Sequence, residues 1–244
     1  MFMRTSKTVL TLLAGLALAG LPAAAFAAPL QDGIELYSSG DVAGATAAWV
    51  KGAEEGDATA AYLAAKMYEG GKGVARNPGN IVYYMQKAAE GNHIQAQVEL
   101  ADFYRAGFPD ADLEKDANLA LAWYEKAALK QHAEAQMKIG EMHYHGVGAE
   151  RNRFEGIRWY ELAAEKYYTP ALIHLAGLYW DGDPLPQDKA KAYGFLLLAR
   201  QAATDETRPG VDKLLELREQ QISPAQRDAG VRIAEAFRFE HPKK

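Results

Sequence analysis

The chain has 244 residues, no cysteine, and 27 Lys and Arg against 32 Asp and Glu, a net charge of −5 at pH 7. A mildly acidic chain without a long basic run is a poor candidate for binding nucleic acid or anionic membrane surfaces. Without cysteine there is no disulfide framework and no thiol for a lipid anchor, so packing alone must hold the fold together.

The first 27 residues predict a secretory leader. Arg4 and Lys7 form a basic head, Val9 to Leu21 an apolar core, and Ala25-Phe26-Ala27 places small residues where a signal peptidase reads them. The apolar core is 13 residues long, short of the roughly 20 that a membrane-spanning helix needs. Cleavage is expected after Ala27, leaving residues 28–244 in the periplasm or secreted, with no stable membrane insertion. Arg4 and Lys7 leave with the leader, so 25 basic residues then face 32 acidic ones.

Residues 28–56 predict an N-terminal helix pair, and residues 57–204 four repeats of one pattern. "WYEKAALKQHAEAQ" from Trp123 echoes "YMQKAAEGNHIQAQ" from Tyr84, "WYELAAEKYYTPAL" from Trp159 and, more faintly, "AWVKGAEEGDATAA" from Ala48. In register, one column holds Asp41, Asn77, Asp116, Asn152 and Asp188, spaced 36, 39, 36 and 36 residues apart. Each can accept from the free N–H groups of a helix's first turn. Seven residues on lies an aromatic column: Ala48, Tyr84, Trp123, Trp159 and Phe195. It is expected to fill the space between helix pairs, with Trp123 and Trp159 as core.

Further columns mark the partner helix. Ala60, Ala96, Ala135 and Ala171 allow close helix approach, with Ala65, Ala101, Gly140 and Ala176 on the facing side. Tyr68, Tyr104, His143 and Tyr179 form a second aromatic column. Gly71, Gly107, Gly146 and Gly182 are placed to end a helix in the left-handed conformation. Each repeat therefore reads as helix A (Asp57–Glu69, for example), a glycine loop, and helix B (Pro78–Ala89). Extra residues in "GFPDADLEK" explain the spacing of 39. Residues 205–244 diverge into capping helices, and Ser223 to Gln226 carries a capping-box pattern. A single pair cannot bury its apolar face alone, so the pairs must stack. The fold class predicted is an all-α solenoid of helix pairs.

These runs, "AEAQMKIGEMHYHGVGAERN" feeding "WYELAAE" and "ATAAYLAAKMYEGGKGVARN" feeding "YMQKAAEGN", resemble the Sel-1-like repeat family of the tetratricopeptide-like superfamily. The likeness covers roughly Gly33 to Ala203, and the 36-residue period separates it from the 34 residues of tetratricopeptide repeats. It implies an α/α superhelix of a kind that serves in bacteria mainly as a protein-binding adaptor. Exported relatives have been placed in envelope signalling, exopolysaccharide control and host contact. Cysteine-rich relatives described as penicillin-binding or β-lactamase-like differ from this chain, which has no cysteine, and none of that activity carries over.

The chemistry-bearing residues read as structural. His143 and His145, two apart on a helix, point about 200° away from each other and do not suit one metal ion. His143 fills a packing column instead. His93 and His132 are repeat equivalents at the start of helix A. "EGGKGVARN" lacks the phosphate-loop spacing and follows a helix. Only Ser38, Ser39 and Ser223 follow the leader, and none begins a Ser-x-x-Lys motif. No catalytic constellation, cofactor site or metal site is expected.

What remains is one stripe of helix A, at positions i, i+4 and i+7, which by analogy with tetratricopeptide stacks faces the concave side. It runs Tyr62, Lys66, Glu69; Val98, Asp102, Arg105; Met137, Glu141, Tyr144; and Ile173, Gly177, Trp180. From it Tyr62, Lys66, Arg105, Met137, Glu141, Tyr144 and Trp180 are the candidate partner-binding residues. Aromatic and Met side chains beside scattered charge suit a protein or peptide partner in the envelope. The same aromatics equally suit packing between repeats or against the C-terminal cap. A second reading makes the protein a cell-wall or polysaccharide binder, with Tyr144 and Trp180 stacking on sugar. A third, an enzyme acting on the cell wall, lacks the residues.

Overall fold

The computed structural model describes residues 28–71 and 73–243; the predicted leader lies outside the described residues. Among them are twelve α-helices and no strand, arranged in two compact units divided after Ala127. The first unit contains α1 (Ala28–Ser38), α2 (Val42–Glu54), α3 (Ala58–Gly70), α4 (Pro78–Glu90), α5 (Ile94–Ala106) and a 3-10 turn (Pro109–Ala111). The division falls near the end of α6 (Ala117–Leu129). The second unit contains α7 (Ala133–His145), α8 (Arg153–Glu165), α9 (Thr169–Asp181), α10 (Lys189–Ala202), α11 (Arg208–Glu219) and α12 (Pro224–Glu240). Consecutive helices pack on one another from α1 to α5 and from α7 to α11, as a solenoid of pairs within each unit. In the second unit, α10 also carries α12.

The Asp/Asn column starts the B helices as expected. Asp41, Asn77, Asn152 and Asp188 each accept from the backbone N–H three residues on. Asp116 accepts from Asn118 and Leu119 N–H at 3.0 and 2.9 Å. The A helices use a second cap column that the sequence analysis placed but did not interpret. Asp57 caps α3 through Thr59 and Ala60 N–H. At the equivalent positions His93 Nδ1 accepts from Ala96 N–H at 3.2 Å, and His132 Nδ1 from Ala135 N–H at 3.4 Å. Ser223 and Gln226 complete the reciprocal capping box of α12.

Two expectations are corrected by the structure. Gly71, Gly146 and Gly182 end their helices in the left-handed region, but Gly107 pairs its positive φ of 78° with ψ of 156°. The chain leaves α5 extended there because the inserted residues must first close their own turn, in which Phe108 bridges Leu113. The second correction concerns the core. Trp123 and Trp159 are only half-buried. The column one residue later is the sealed one: Trp49, Met85, Tyr124 and Tyr160 have no exposed surface and Leu196 is 2% exposed. The alanine column is fully buried throughout. A one-residue step rotates a helical side chain by about 100°, enough to move it from the pair's edge to its centre.

Polar networks on the A-helix faces

In the first unit the stripe is internally satisfied. The Tyr62 hydroxyl donates to Glu99 Oε1 at 2.6 Å, and its ring stacks on His93 with centroids 4.3 Å apart. Lys66 sits between Glu99, at 3.1 Å, and Glu69. Burial alone would lower the pKa of the Lys66 ammonium, but the Glu99 and Glu69 carboxylates outweigh it and hold the pKa above the ordinary lysine value. One repeat on, the Tyr124 hydroxyl donates to Asp102 Oδ1 at 2.6 Å and accepts from Arg105 Nε at 3.3 Å. Arg105 also reaches Asp102 at 3.3 Å. Burial and the Asp102 bond together push the Tyr124 phenol well up.

In the second unit the same stripe is wired differently. The Tyr144 hydroxyl takes a 2.6 Å bond from Arg153 Nη2, whose other arm reaches Asp183 at 2.9 Å. The Arg153 guanidinium lies 4.8 Å from the Tyr144 ring centroid. Tyr160 of α8 and His174 of α9 meet edge-on with centroids 4.4 Å apart, and Tyr144 borders His174 at 6.0 Å. The Tyr160 hydroxyl and His174 Nε2 are buried and have no hydrogen-bond partner. Burial, with the Glu141 carboxylate adding to it, pushes the Tyr160 phenol up. Burial pushes His174 down and His145 adds to the effect, against the pull of Glu141. His174 is thus neutral at pH 7.

The seven candidate residues divide. Arg105 is exposed, and Glu141 and Tyr144 are partly so. Tyr62, Lys66, Met137 and Trp180 are buried, in line with the packing alternative that the sequence left open for the aromatics. Trp180 belongs to the same core as Val211 and Leu215 of α11, and its ring lies 4.2 Å from the Arg218 guanidinium and 5.1 Å from Lys189 Nζ. It does not present the free face that stacking on a sugar requires. Spacing along α9 reports where Trp180 leaves its own helix, but not that α11 covers it. Asp102 lies on the stripe, but Tyr124, Tyr160, Glu99 and His174, which complete these networks, lie off it. The tyrosines at equivalent positions were the available signal, since a buried phenol needs a partner.

Among the described residues no group of three His, Asp or Glu could hold a metal ion, and no helix is long and apolar enough to cross a membrane. Stacked helix pairs, carrying a sealed alanine-and-aromatic interior and polar A-helix faces, define a tandem-repeat scaffold. The chain belongs to the Sel1 repeat family, whose model matches residues 58–93, 94–132, 133–168 and 169–203. The Sel1 repeat is a scaffold fold that mediates protein–protein interactions.

Similar proteins include an exopolysaccharide production negative regulator of Rhizobium meliloti, 30% identical over 131 residues, 49% of each chain. A chitin synthase regulator of Saccharomyces cerevisiae is 33% identical over 106 residues, 43% of this chain and 15% of that one. The chain thus spans half or less of the length of these regulators. A solved Sel1 repeat protein from Oxalobacter formigenes is similar with a TM-score of 0.68 and 25% identity, over 83% of this chain and 84% of that one. A protective antigen of uropathogenic Escherichia coli shares the fold with a TM-score of 0.72 and 21% identity, over 87% of this chain and 45% of that one.

Proposed function

We propose that this protein is an exported scaffold that binds a protein or peptide partner through its A-helix faces and so regulates an envelope signalling or assembly complex. The observation that carries the reading is the layering of those faces. The buried Tyr124 hydroxyl holds the exposed Arg105, and Arg153 holds the partly exposed Tyr144, so these two side chains are fixed before a partner arrives. Preorganisation of this kind lowers the ordering cost of binding. That two similar proteins are named as regulators of polysaccharide synthesis supports a regulatory use. The leader read from residues 1–27 supports the envelope as its place.

A photo-crosslinking residue introduced at Arg105 or His145, on the A helices, is expected to capture a discrete envelope protein in intact cells. The same residue at Glu125 or Glu161, exposed on the B helices, is expected to capture far less of it. Equal capture from both sets, or capture of cytoplasmic proteins alone, overturns the reading.

A further inference from the structure

The third repeat departs from the second at one position in a way that changes its chemistry. In the second repeat Asp102, Arg105 and Tyr124 form a closed triad: carboxylate, guanidinium and buried phenol. The equivalent positions, 39, 39 and 36 residues on, are Glu141, Tyr144 and Tyr160. Carboxylate and phenol are kept, but a tyrosine replaces the arginine. The Tyr144 hydroxyl turns to Arg153, and the Tyr160 hydroxyl is left buried without a partner. A buried hydroxyl without a hydrogen bond costs about 1–3 kcal/mol, so a fold that keeps one needs a reason.

The neighbours point to the same missing group. His174 Nε2, edge-on to Tyr160, is the second unpartnered buried atom, and the ring is neutral, so it does not repel a cation. Glu141 has an ion pair with Lys138 only at 3.8 Å, the outer limit of such a contact, and remains partly exposed. Arg153 commits its two terminal nitrogens to Asp183 and Tyr144, and its Nε is buried without a partner. At Gly177, one turn beyond His174, an added Cβ would meet nothing within 4 Å, so there is free space at that position of α9.

We propose that the α7–α9 face of the second unit is a subsite for an arginine side chain of a peptide partner, received by the Glu141 carboxylate, the Tyr160 hydroxyl and His174 Nε2. The partner's guanidinium takes the role that Arg105 plays within the second repeat. Planar, with five donors and no acceptor, a guanidinium can serve three separate acceptors at once. In the first unit the chain supplies its own cations, Lys66 to Glu99 and Arg105 to Asp102 and Tyr124, so that face holds no equivalent opening. The inference rests on the scaffold reading above, and it places the recognition of one side chain in the second unit.

The test is titration of the full mature chain with N-acetyl-Gly-Arg-Gly-amide, followed by the ring resonances of His174, against the same peptide with citrulline or lysine. A saturable shift is expected with the arginine peptide, about tenfold weaker with citrulline, which keeps the shape and loses the charge. Glu141→Gln and Tyr160→Phe are each expected to weaken binding at least about tenfold, the scale of a lost hydrogen bond to a charged group. Tyr160→Phe should leave the melting temperature unchanged or raised, because it removes a hydroxyl that has no partner. Equal response to citrulline, response unaffected by Glu141→Gln, or a shift absent altogether overturns the subsite. A marked fall in melting temperature for Tyr160→Phe also overturns it, since the phenol would then have an internal partner. Capture of an envelope protein that survives Glu141→Gln unchanged removes the subsite and leaves the scaffold reading standing.

Discussion

Gly140 of α7 and Gly156 of α8 face each other at the crossing of the third repeat. A Cβ added to Gly140 would lie 2.9 Å from the Gly156 carbonyl oxygen and 2.6 Å from the Tyr160 ring. A Cβ added to Gly156 would lie 2.7 Å from the Gly140 oxygen. The other repeats place alanine at Gly140's position, so this crossing carries the smallest residue of the series there. Close approach there presses the Tyr160 ring beneath α7 and helps form the polar cluster above it.

Gly140→Ala is accordingly expected to destabilise the protein by about 1–3 kcal/mol, the usual range for overpacking, even though alanine is the better helix former. The obstacle is backbone as well as a ring, so side-chain rotation cannot relieve it. Urea unfolding measures the change. Gly177→Ala serves as the control, since its Cβ meets open space, and it is expected to be neutral or to stabilise by up to about 1 kcal/mol. Equal effects for the two substitutions would show that the crossing is not the cause.

The second prediction concerns the two adjacent aromatic residues of α8. Tyr160→Ala empties a sealed position and is expected to cost about 3–5 kcal/mol. Trp159→Ala, although it removes the larger side chain, acts at a half-buried position and is expected to cost clearly less. Thermal or denaturant unfolding of both variants decides the order. A larger loss for Trp159→Ala would return the core to the column that the sequence pattern suggested.

The His132 cap makes stability depend on pH. Burial lowers the folded-state pKa of His132 below 6.5, and its Nδ1 must be unprotonated to accept from Ala135 N–H. Folded protein therefore binds fewer protons than unfolded protein at this site, and stability rises with pH. The contribution is complete above pH 6.5 and is lost as pH falls from there through the depressed folded-state value. A protonated ring would also set a positive charge at the positive end of α7. His132→Asp, which installs the residue that caps α3 at the equivalent Asp57, is expected to flatten this part of the pH profile. Unfolding midpoints between pH 7.5 and 5 that fall equally in both proteins would assign the acid loss to other groups.

Much of the fold was legible in the sequence because a repeat writes the same physical requirement several times. Five Asp or Asn residues in register are difficult to explain except as caps, and the structure uses all five as such. The alanine column needed no coordinates either, since small residues at a fixed helical spacing have one use in a stack of pairs. His93 and His132 were placed correctly at the helix starts, but a histidine is a rarer cap than Asp or Asn, and its role emerged only when Nδ1 was found on the backbone N–H. Of the predicted aromatic column Tyr84 and Phe195 are buried while Trp123 and Trp159 are only half so; the sealed column one residue on, Trp49, Met85, Tyr124, Tyr160 and Leu196, mixes aromatic and aliphatic side chains and is harder to see in the sequence.

Local sequence thus settled which segments are helices, where they begin and how they pair, because caps, periodicity and glycine turns act over a few residues. Tertiary structure alone decided which faces of those helices stay open. Trp180 lies on the stripe that the spacing defines, yet α11 and Arg218 cover it. Tyr144 and Arg105 occupy one register position, yet one turns to Arg153 and the other to Tyr124. Exposure and hydrogen-bond partnership depend on side chains that arrive from other helices, and the spacing along any one helix does not carry that information.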